Sequence, residues 1–241
     1  MQNTPTLDST ARPGRTLEAA GALAPAESPR NADAAPQPGP RPLAAHISLV
    51  GEPFTLNELQ AMRLRGVLRE VLPGAYVPSA ISDTPSARAQ VAAVVAAEYL
   101  GLQSALCRRT AAWVYGCAPM PGELEVVVPR YHRPCPPTAR MMLRMSEGVV
   151  DEEQICSLGG VNVTSPLRTA MDVAFNSELE QAFAILRSLH GEPRLRCGYP
   201  RMLEQVESSV RRPGRLRALA IIRRLMEEPP DGPRTGAEPA R

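Results

Sequence analysis

The sequence has no lysine: all 27 basic residues among its 241 are arginine, balanced by 25 acidic residues to a formal net charge of +2. A restriction-like nuclease brings acidic residues and a lysine together on a divalent cation. Glu123 and Glu125, which flank the right sort of strand, therefore lack the group that would complete such a centre. The near-neutral balance also excludes a surface that is basic throughout, so any contact with phosphates has to come from local clustering of arginine. With so much alanine, arginine, proline and glycine, the arginine-only usage most simply reflects GC-rich coding.

Aromatic residues are scarce, at 4%, and none occurs before Phe54 or after Tyr199. Together with 26 prolines this places the folded part between about residue 50 and residue 226, enough for one sizeable core. Paired cysteines are missing too. Cys107, Cys117, Cys135, Cys156 and Cys197 are odd in number and include no C-x-x-C, which argues against a zinc knuckle and a disulfide framework; reduced, mostly buried thiols are expected. No apolar stretch approaches the roughly 20 residues that span a bilayer, and the N-terminus has no apolar signal region, so a cytoplasmic protein without membrane contact is expected. His46, His132 and His190 are dispersed, with nothing to bring them to a Ser or Cys nucleophile, and no glycine-rich phosphate loop follows a strand. The expectation is a chain with no catalytic residues, no metal site and no cofactor.

What is present divides in chain order. Residues 1–50, dominated by Pro, Ala, Ser, Thr and Gly and densest at Pro36-Gln37-Pro38-Gly39-Pro40-Arg41-Pro42, cannot offset their ordering entropy by burial and are predicted to form a disordered leader. Thr55-Leu56-Asn57-Glu58 is a capping box that opens a helix through Leu59 and Met62. Val67, Leu68, Val71 and Leu72 then run into Pro73-Gly74, and Ala75-Tyr76-Val77-Pro78 leaves, a strand-turn-strand pattern. A helix from Pro85 carries Val91, Val94, Val95 and Tyr99 to Gly101. Another, Leu106 to Tyr115, stops at Gly116. Leu124-Glu125-Val126-Val127-Val128 is the strongest strand signal. A connection with Arg130, Tyr131, His132, Arg133 and Cys135 leads to a second strand over 139–145, and 149–158 carries the acidic run Asp151-Glu152-Glu153 to a central junction. Ser177 is placed to cap a helix bearing Leu179, Ala182, Phe183, Leu186 and Leu189. Two further helices, 200–210 and 214–227, are split by Arg212-Pro213-Gly214, and 227–241 is a Pro/Gly-rich tail predicted to be disordered. The predicted fold is α+β, a small mixed β-sheet packed against several helices.

The junction, Gly159 to Phe175, has the clearest local grammar. Val161 and Val163 alternate with Asn162 as in a half-buried strand, Thr164 or Ser165 can cap the next helix, and Pro166 fits its first turn. Leu167, Ala170, Met171, Ala174 and Phe175 then form one apolar stripe. Arg168 and Asp172, at i and i+4, can pair; as an exposed pair they would contribute about 0.3 to 0.5 kcal/mol.

Arginine crowds the C-terminal third: Arg187, Arg194, Arg196, Arg201, Arg211, Arg212, Arg215, Arg217, Arg223 and Arg224. The spacing of Leu216, Leu219, Ile222 and Leu225 lets one side of the last helix pack while the other presents guanidinium groups. Arg212, Arg215, Arg217 and Arg223, with Arg108 and Arg109 as an extension, are the candidate contacts for a partner protein or nucleic acid. Interleaved aromatics, which would signal base stacking, are absent.

The order of these motifs resembles the AbiEi family of type IV antitoxins in its actinobacterial form. The resemblance is carried by Pro73-Gly74-Ala75-Tyr76-Val77-Pro78, Arg109-Thr110-Ala111-Ala112 before Gly116, the Glu125-to-Pro129 strand, Val163-Thr164-Ser165-Pro166-Leu167-Arg168-Thr169 with Asp172, and Arg212-Pro213-Gly214. It implies a protein that counteracts a nucleotidyltransferase-like toxin and, in many relatives, binds operator DNA through an N-terminal winged helix-turn-helix. Two departures follow. About a dozen residues separate Thr55 from the Val67 strand, enough for one helix and a wing, so residues 51–80 are expected to be a winged-helix remnant ahead of an AbiEi-like domain over 81–226. Nor is the Vsr-like endonuclease domain of longer relatives expected here. The reading from a different class is a stand-alone nucleic-acid-binding remnant of such an endonuclease fusion.

Overall fold

A computed structural model describes residues 43–51, 53–97, 100, 103–130 and 141–228. The expected leader up to residue 42 and the tail from residue 229 lie outside these, as do Tyr99, Gly101 and the 131–140 connection with His132, Arg133 and Cys135. The described part is α+β, as expected, with seven α-helices and two mixed sheets, the first of which contains the expected strand pair.

The first sheet contains β1 (Ser48–Val50), β2 (Pro53–Phe54), β3 (Leu68–Leu72) and β4 (Ala75–Pro78), in the order β2-β1-β4-β3. Strand β1 takes in residues assigned to the leader, because Ser48 and Leu49 pair with Tyr76 and Ala75. Between β2 and β3 runs α1 (Leu56–Leu64), opened by the expected capping box. Glu58 N–H donates to Thr55 Oγ1 at 3.4 Å, and Thr55 N–H donates to Glu58 Oε2 at 2.8 Å. The hairpin β3–β4 turns at Pro73-Gly74, where Gly74 N–H donates to Glu70 Oε1 at 2.9 Å. Side chains alternate across it, and the register shift between Glu70 and Leu72 turns Leu72 to the face opposite Leu68. Leu68 and Tyr76 meet Leu59 beneath α1, whereas Leu72, Ala75 and Val77 enter the central core.

That core lies against α2 (Pro85–Val95), capped by Thr84 Oγ1, which accepts from Ala87 N–H at 3.1 Å. Its other wall is a five-stranded sheet in the order β7-β6-β5-β9-β8, built from β5 (Ala105–Leu106), β6 (Glu123–Val128), β7 (Met142–Glu147), β8 (Ile155–Leu158) and β9 (Val161–Thr164). The helix expected from Leu106 begins later, as α3 (Arg108–Val114), because Ala105 and Leu106 form the middle strand, antiparallel to β6 and parallel to β9. A two-residue apolar strand has no period to distinguish it from a helix start. The strand expected over 139–145 is described from Met142, with its register set across the sheet, Glu123 opposite Met142 through Val128 opposite Glu147; residues 139 and 140 lie outside the described residues. Gly116 ends α3 with φ +81°, as a residue past a helix C-terminus does.

A second core is all-helical. It joins α4 (Pro166–Asn176), α5 (Leu179–Gly191), α6 (Tyr199–Ser208) and α7 (Arg215–Glu227), centred on Phe175, Leu186, Met202 and Ile222, and Tyr115 and Ala118 touch both cores. Ser177 does not cap α5. Its N–H donates to Val173 O as the residue that closes the end of α4, and Glu178 precedes α5 instead. Among the described residues no helix is long and apolar enough to cross a membrane.

Candidate functional site

The strand-to-helix junction and the α6–α7 corner meet at one carboxylate. Ser165 is the cap of α4, its Oγ accepting from Arg168 N–H at 3.4 Å, with Pro166 in the first turn behind it. Thr164, the other candidate, is buried. Its hydroxyl lies 2.8 Å from that of Thr169, and its carbonyl accepts from the Tyr115 hydroxyl at 2.8 Å. Burial pushes the Tyr115 phenol far above its ordinary value, so it remains a donor.

Asp172 is 5% exposed, and α4 is buried on nearly every side from Thr169 to Phe175. Arg168 Nε bridges both carboxylate oxygens, at 3.1 and 3.0 Å, and its Nη1 donates to Gln154 Oε1. Arg212 Nη2 completes the set at 3.2 Å from Asp172 Oδ1, with its guanidinium 4.1 Å over the Phe175 ring. The pair expected to be exposed is thus part of a network in which two partly exposed arginines hold one buried carboxylate. Helical spacing supplies Arg168; Arg212, Gln154 and the aromatic platform arrive from other elements and leave no local signal.

The remaining C-terminal arginines follow a pattern. Arg215 donates to Val206 O at 3.2 Å and to Glu207 O at 3.1 Å, and Arg217 donates to Phe175 O at 3.5 Å and to Ser177 O. These carbonyls lie at the C-terminal ends of α6 and α4, where helices leave acceptors unfilled, and Val206 O is shared with Ser209 N–H at 3.1 Å. Arg223 Nη2 lies 3.2 Å from Glu207 Oε1, exposed on both sides. Leu216, expected to pack, is 79% exposed; the buried stripe of α7 is Ala218, Leu219, Ile221, Ile222 and Leu225. Val210 is 76% exposed, next to Arg211 in the left-handed region at φ +62°. The corner and the helix that follows it therefore carry two exposed aliphatic side chains, Val210 and Leu216, and two exposed arginines, Arg211 and Arg223.

Arg108 and Arg109 serve a different end of the fold. Glu125, 4% exposed, accepts from Arg109 N–H at 3.0 Å and Nε at 3.3 Å, with Arg108 Nη1 3.8 Å away. A strand carboxylate thereby caps α3, for which Cys107 provides no side-chain cap. Glu123 is held at 3.2 Å by Arg109 and at 3.0 Å by Arg144. Burial, with the Asp172 charge nearby, pushes the Cys107 thiol far above its ordinary value despite Arg108. Among the described residues no group of three or more His, Cys, Asp or Glu is placed to hold a metal ion.

No curated protein matches the chain. The family model of the AbiEi antitoxin C-terminal domain matches residues 104–223, from the residue before β5 into α7, and so takes in the second sheet, the Asp172 network and the α6–α7 corner. The resemblance drawn from the order of motifs is borne out: through residues 104–223 the chain belongs to the AbiEi antitoxin family.

Proposed function

We propose that this chain is a nonenzymatic cytoplasmic antitoxin that neutralises a nucleotidyltransferase-like toxin and regulates transcription of its own genes, and that the α6–α7 corner makes the contact with its protein partner. The observation that carries the contact is the exposure of Val210 and Leu216, 76% and 79%, along the same helical hairpin as Arg211 and Arg223. Aliphatic knobs set among guanidinium groups suit a protein interface, where a desolvated apolar patch and arginine anchors act together; phosphate binding has no use for the knobs. Arg212 is partly exposed while it holds Asp172. Arg215 and Arg217 brace the corner from within, and Arg108 and Arg109 are assigned to the fold.

Regulation would rest on the winged-helix remnant expected over residues 51–80, a reading supported by the presence there of one helix, α1, followed by the β3–β4 hairpin. The test is growth rescue: the chain is co-expressed with the nucleotidyltransferase-like product of a neighbouring gene. The wild type restores growth, and Leu216→Asp with Arg211→Gln and Arg223→Gln abolishes rescue while the thermal transition is preserved. Rescue by the triple variant moves the contact elsewhere. No rescue by the wild type, together with salt-dependent binding of an unrelated duplex, favours the nucleic-acid-binding remnant.

A further inference from the structure

The connection from α5 to α6 carries arginines that the fold leaves unused. From His190 to Arg201 the chain sets Arg194, Arg196 and Arg201 against one acidic residue, Glu192. All three arginines are exposed, and among the described residues none has a carboxylate within ion-pair distance. Glu192 is spent on the main chain, its Oε1 accepting from Arg194 N–H at 3.4 Å. Arg201 gives one donor, Nη1, to Arg196 O at 3.4 Å, which ties the start of α6 to the turn before it. The guanidinium groups of Arg194 and Arg196 hold nothing among the described residues. Arg168, Arg212, Arg215 and Arg217 differ in this respect, since each grips a carboxylate or a carbonyl of the fold.

Two details shape the surface around them. Arg196 sits at φ +49°, a conformation that favours glycine, so the turn keeps a costly backbone beneath an exposed guanidinium. His190 stacks on Tyr199, ring centroids 3.8 Å apart and planes 16° from parallel. Tyr199 is the buried member and His190 the exposed one, so the stack fixes the imidazole and leaves its outer face to solvent. A single imidazole held from beneath by a tyrosine leaves no interleaved aromatic pattern in the sequence.

We propose that the α5–α6 connection binds a short single strand of nucleic acid, with Arg194, Arg196 and Arg201 on its phosphates and an unpaired base stacked on the outer face of His190. Guanidinium groups along a backbone and a ring against a base are the two parts of single-strand recognition. A duplex keeps its base faces inside the stack and makes no use of the ring. A protein partner needs an apolar anchor, and none of the exposed large apolar side chains falls between Leu179 and Val210. The site lies at the opposite end of α6 from the α6–α7 corner, about 15 Å along the helix, and depends neither on antitoxin activity nor on residues 51–80.

The test uses the full chain in fluorescence polarisation with fluorescein-labelled oligo(dT) and oligo(U) of about ten nucleotides, an abasic deoxyribose-phosphate strand of equal length and a hairpin duplex. The oligonucleotides bind saturably, and the abasic strand and the duplex bind at least about fivefold more weakly. The logarithm of the association constant falls with that of salt concentration with a slope of about −2, three phosphates at about 0.7 each. Arg194→Gln with Arg196→Gln and Arg201→Gln, all at exposed positions, brings that slope towards zero while the thermal transition is retained. His190→Ala weakens binding at least about fivefold, and His190→Phe restores it. The assignment is overturned by no saturable binding of either oligonucleotide, by a duplex or an abasic strand that binds as well, by a salt slope unchanged in the triple variant, or by His190→Ala binding like the wild type.

Discussion

Asp172 shows how much one buried carboxylate can organise. It ties the fourth helix to the α6–α7 corner through Arg212, whose guanidinium also covers Phe175, while Arg168 of the same helix holds the carboxylate in place. Removing a buried acid leaves its cations without a partner, but Arg168 and Arg212 both retain access to water, so the cost falls below that of a fully enclosed pair. Asp172→Ala should lower stability by about 2 to 3 kcal/mol in urea denaturation, whereas Arg212→Gln, which leaves Arg168 in place, should cost about 1 kcal/mol. Equal losses would mean that the carboxylate is not the hub. The thiols allow a second test at this scale. Cys107, Cys117 and Cys197 are buried, and burial pushes Cys197 up to about 11 from its ordinary 9.0; Cys156 is only half-buried. Iodoacetamide at pH 8 should therefore modify Cys156 first among these four, as read by peptide mass spectrometry. Because the folded value for Cys197 is the raised one, its contribution to stability is complete below pH 9 and is lost as the pH rises through about 11.

At the scale of elements, sequence was most informative where the signal is local. The Thr55–Glu58 box, the Pro73-Gly74 hairpin, the Ser165-Pro166 helix start and the Gly116 stop each depend on neighbours within four residues, and each is found. What escaped depends on partners distant in the chain. Ala105–Leu106 became the central strand only because β6 and β9 flank it, and Arg215 and Arg217 became caps only because other helices end beside them. Composition alone made those arginines resemble a free basic surface. The corner they brace is strained in a way that yields a paired prediction. Arg211 holds φ +62°, a region costly for a residue with a Cβ, whereas Gly214 at φ +80° would bring a Cβ to 3.3 Å from Phe175 O. Arg211→Gly should leave stability unchanged or raise it by up to about 1 kcal/mol, while Gly214→Ala should lower it by about 1 to 2 kcal/mol. The first variant also removes a cation from the proposed partner surface, so lost growth rescue with retained stability would separate binding from folding.

For the whole molecule, the decisive feature is that the family domain does not own all of its core. Leu72, Ala75 and Val77 of the first sheet and Ala89, Val91 and Ala92 of α2 share one apolar cluster with Leu106, Trp113, Leu124 and Val126. Arg88 reinforces the same seam, donating to Trp113 O at 2.9 Å and to Asp83 at 2.9 and 2.6 Å, contacts that hold the Asp83 carboxyl below its ordinary value. The sequence-level division near residue 80 follows the change from hairpin to helix and gives no sign of this shared interior, because burial on the far side of a strand is a property of what packs there. A fragment restricted to residues 104–241 would uncover the inner side of the second sheet and the face of Trp113, each large apolar side chain so exposed forgoing about 1.5 to 3 kcal/mol. Against a total stability of roughly 5 to 15 kcal/mol, several such losses are enough to abolish cooperative folding. The fragment should therefore bind 1-anilinonaphthalene-8-sulfonate and lack a sharp thermal transition, whereas the full chain should unfold in one step with near-ultraviolet and far-ultraviolet signals coincident. A cooperative fragment that does not bind the dye would show that residues 43–97 are an accessory layer and that the helical core around Phe175 suffices for the fold.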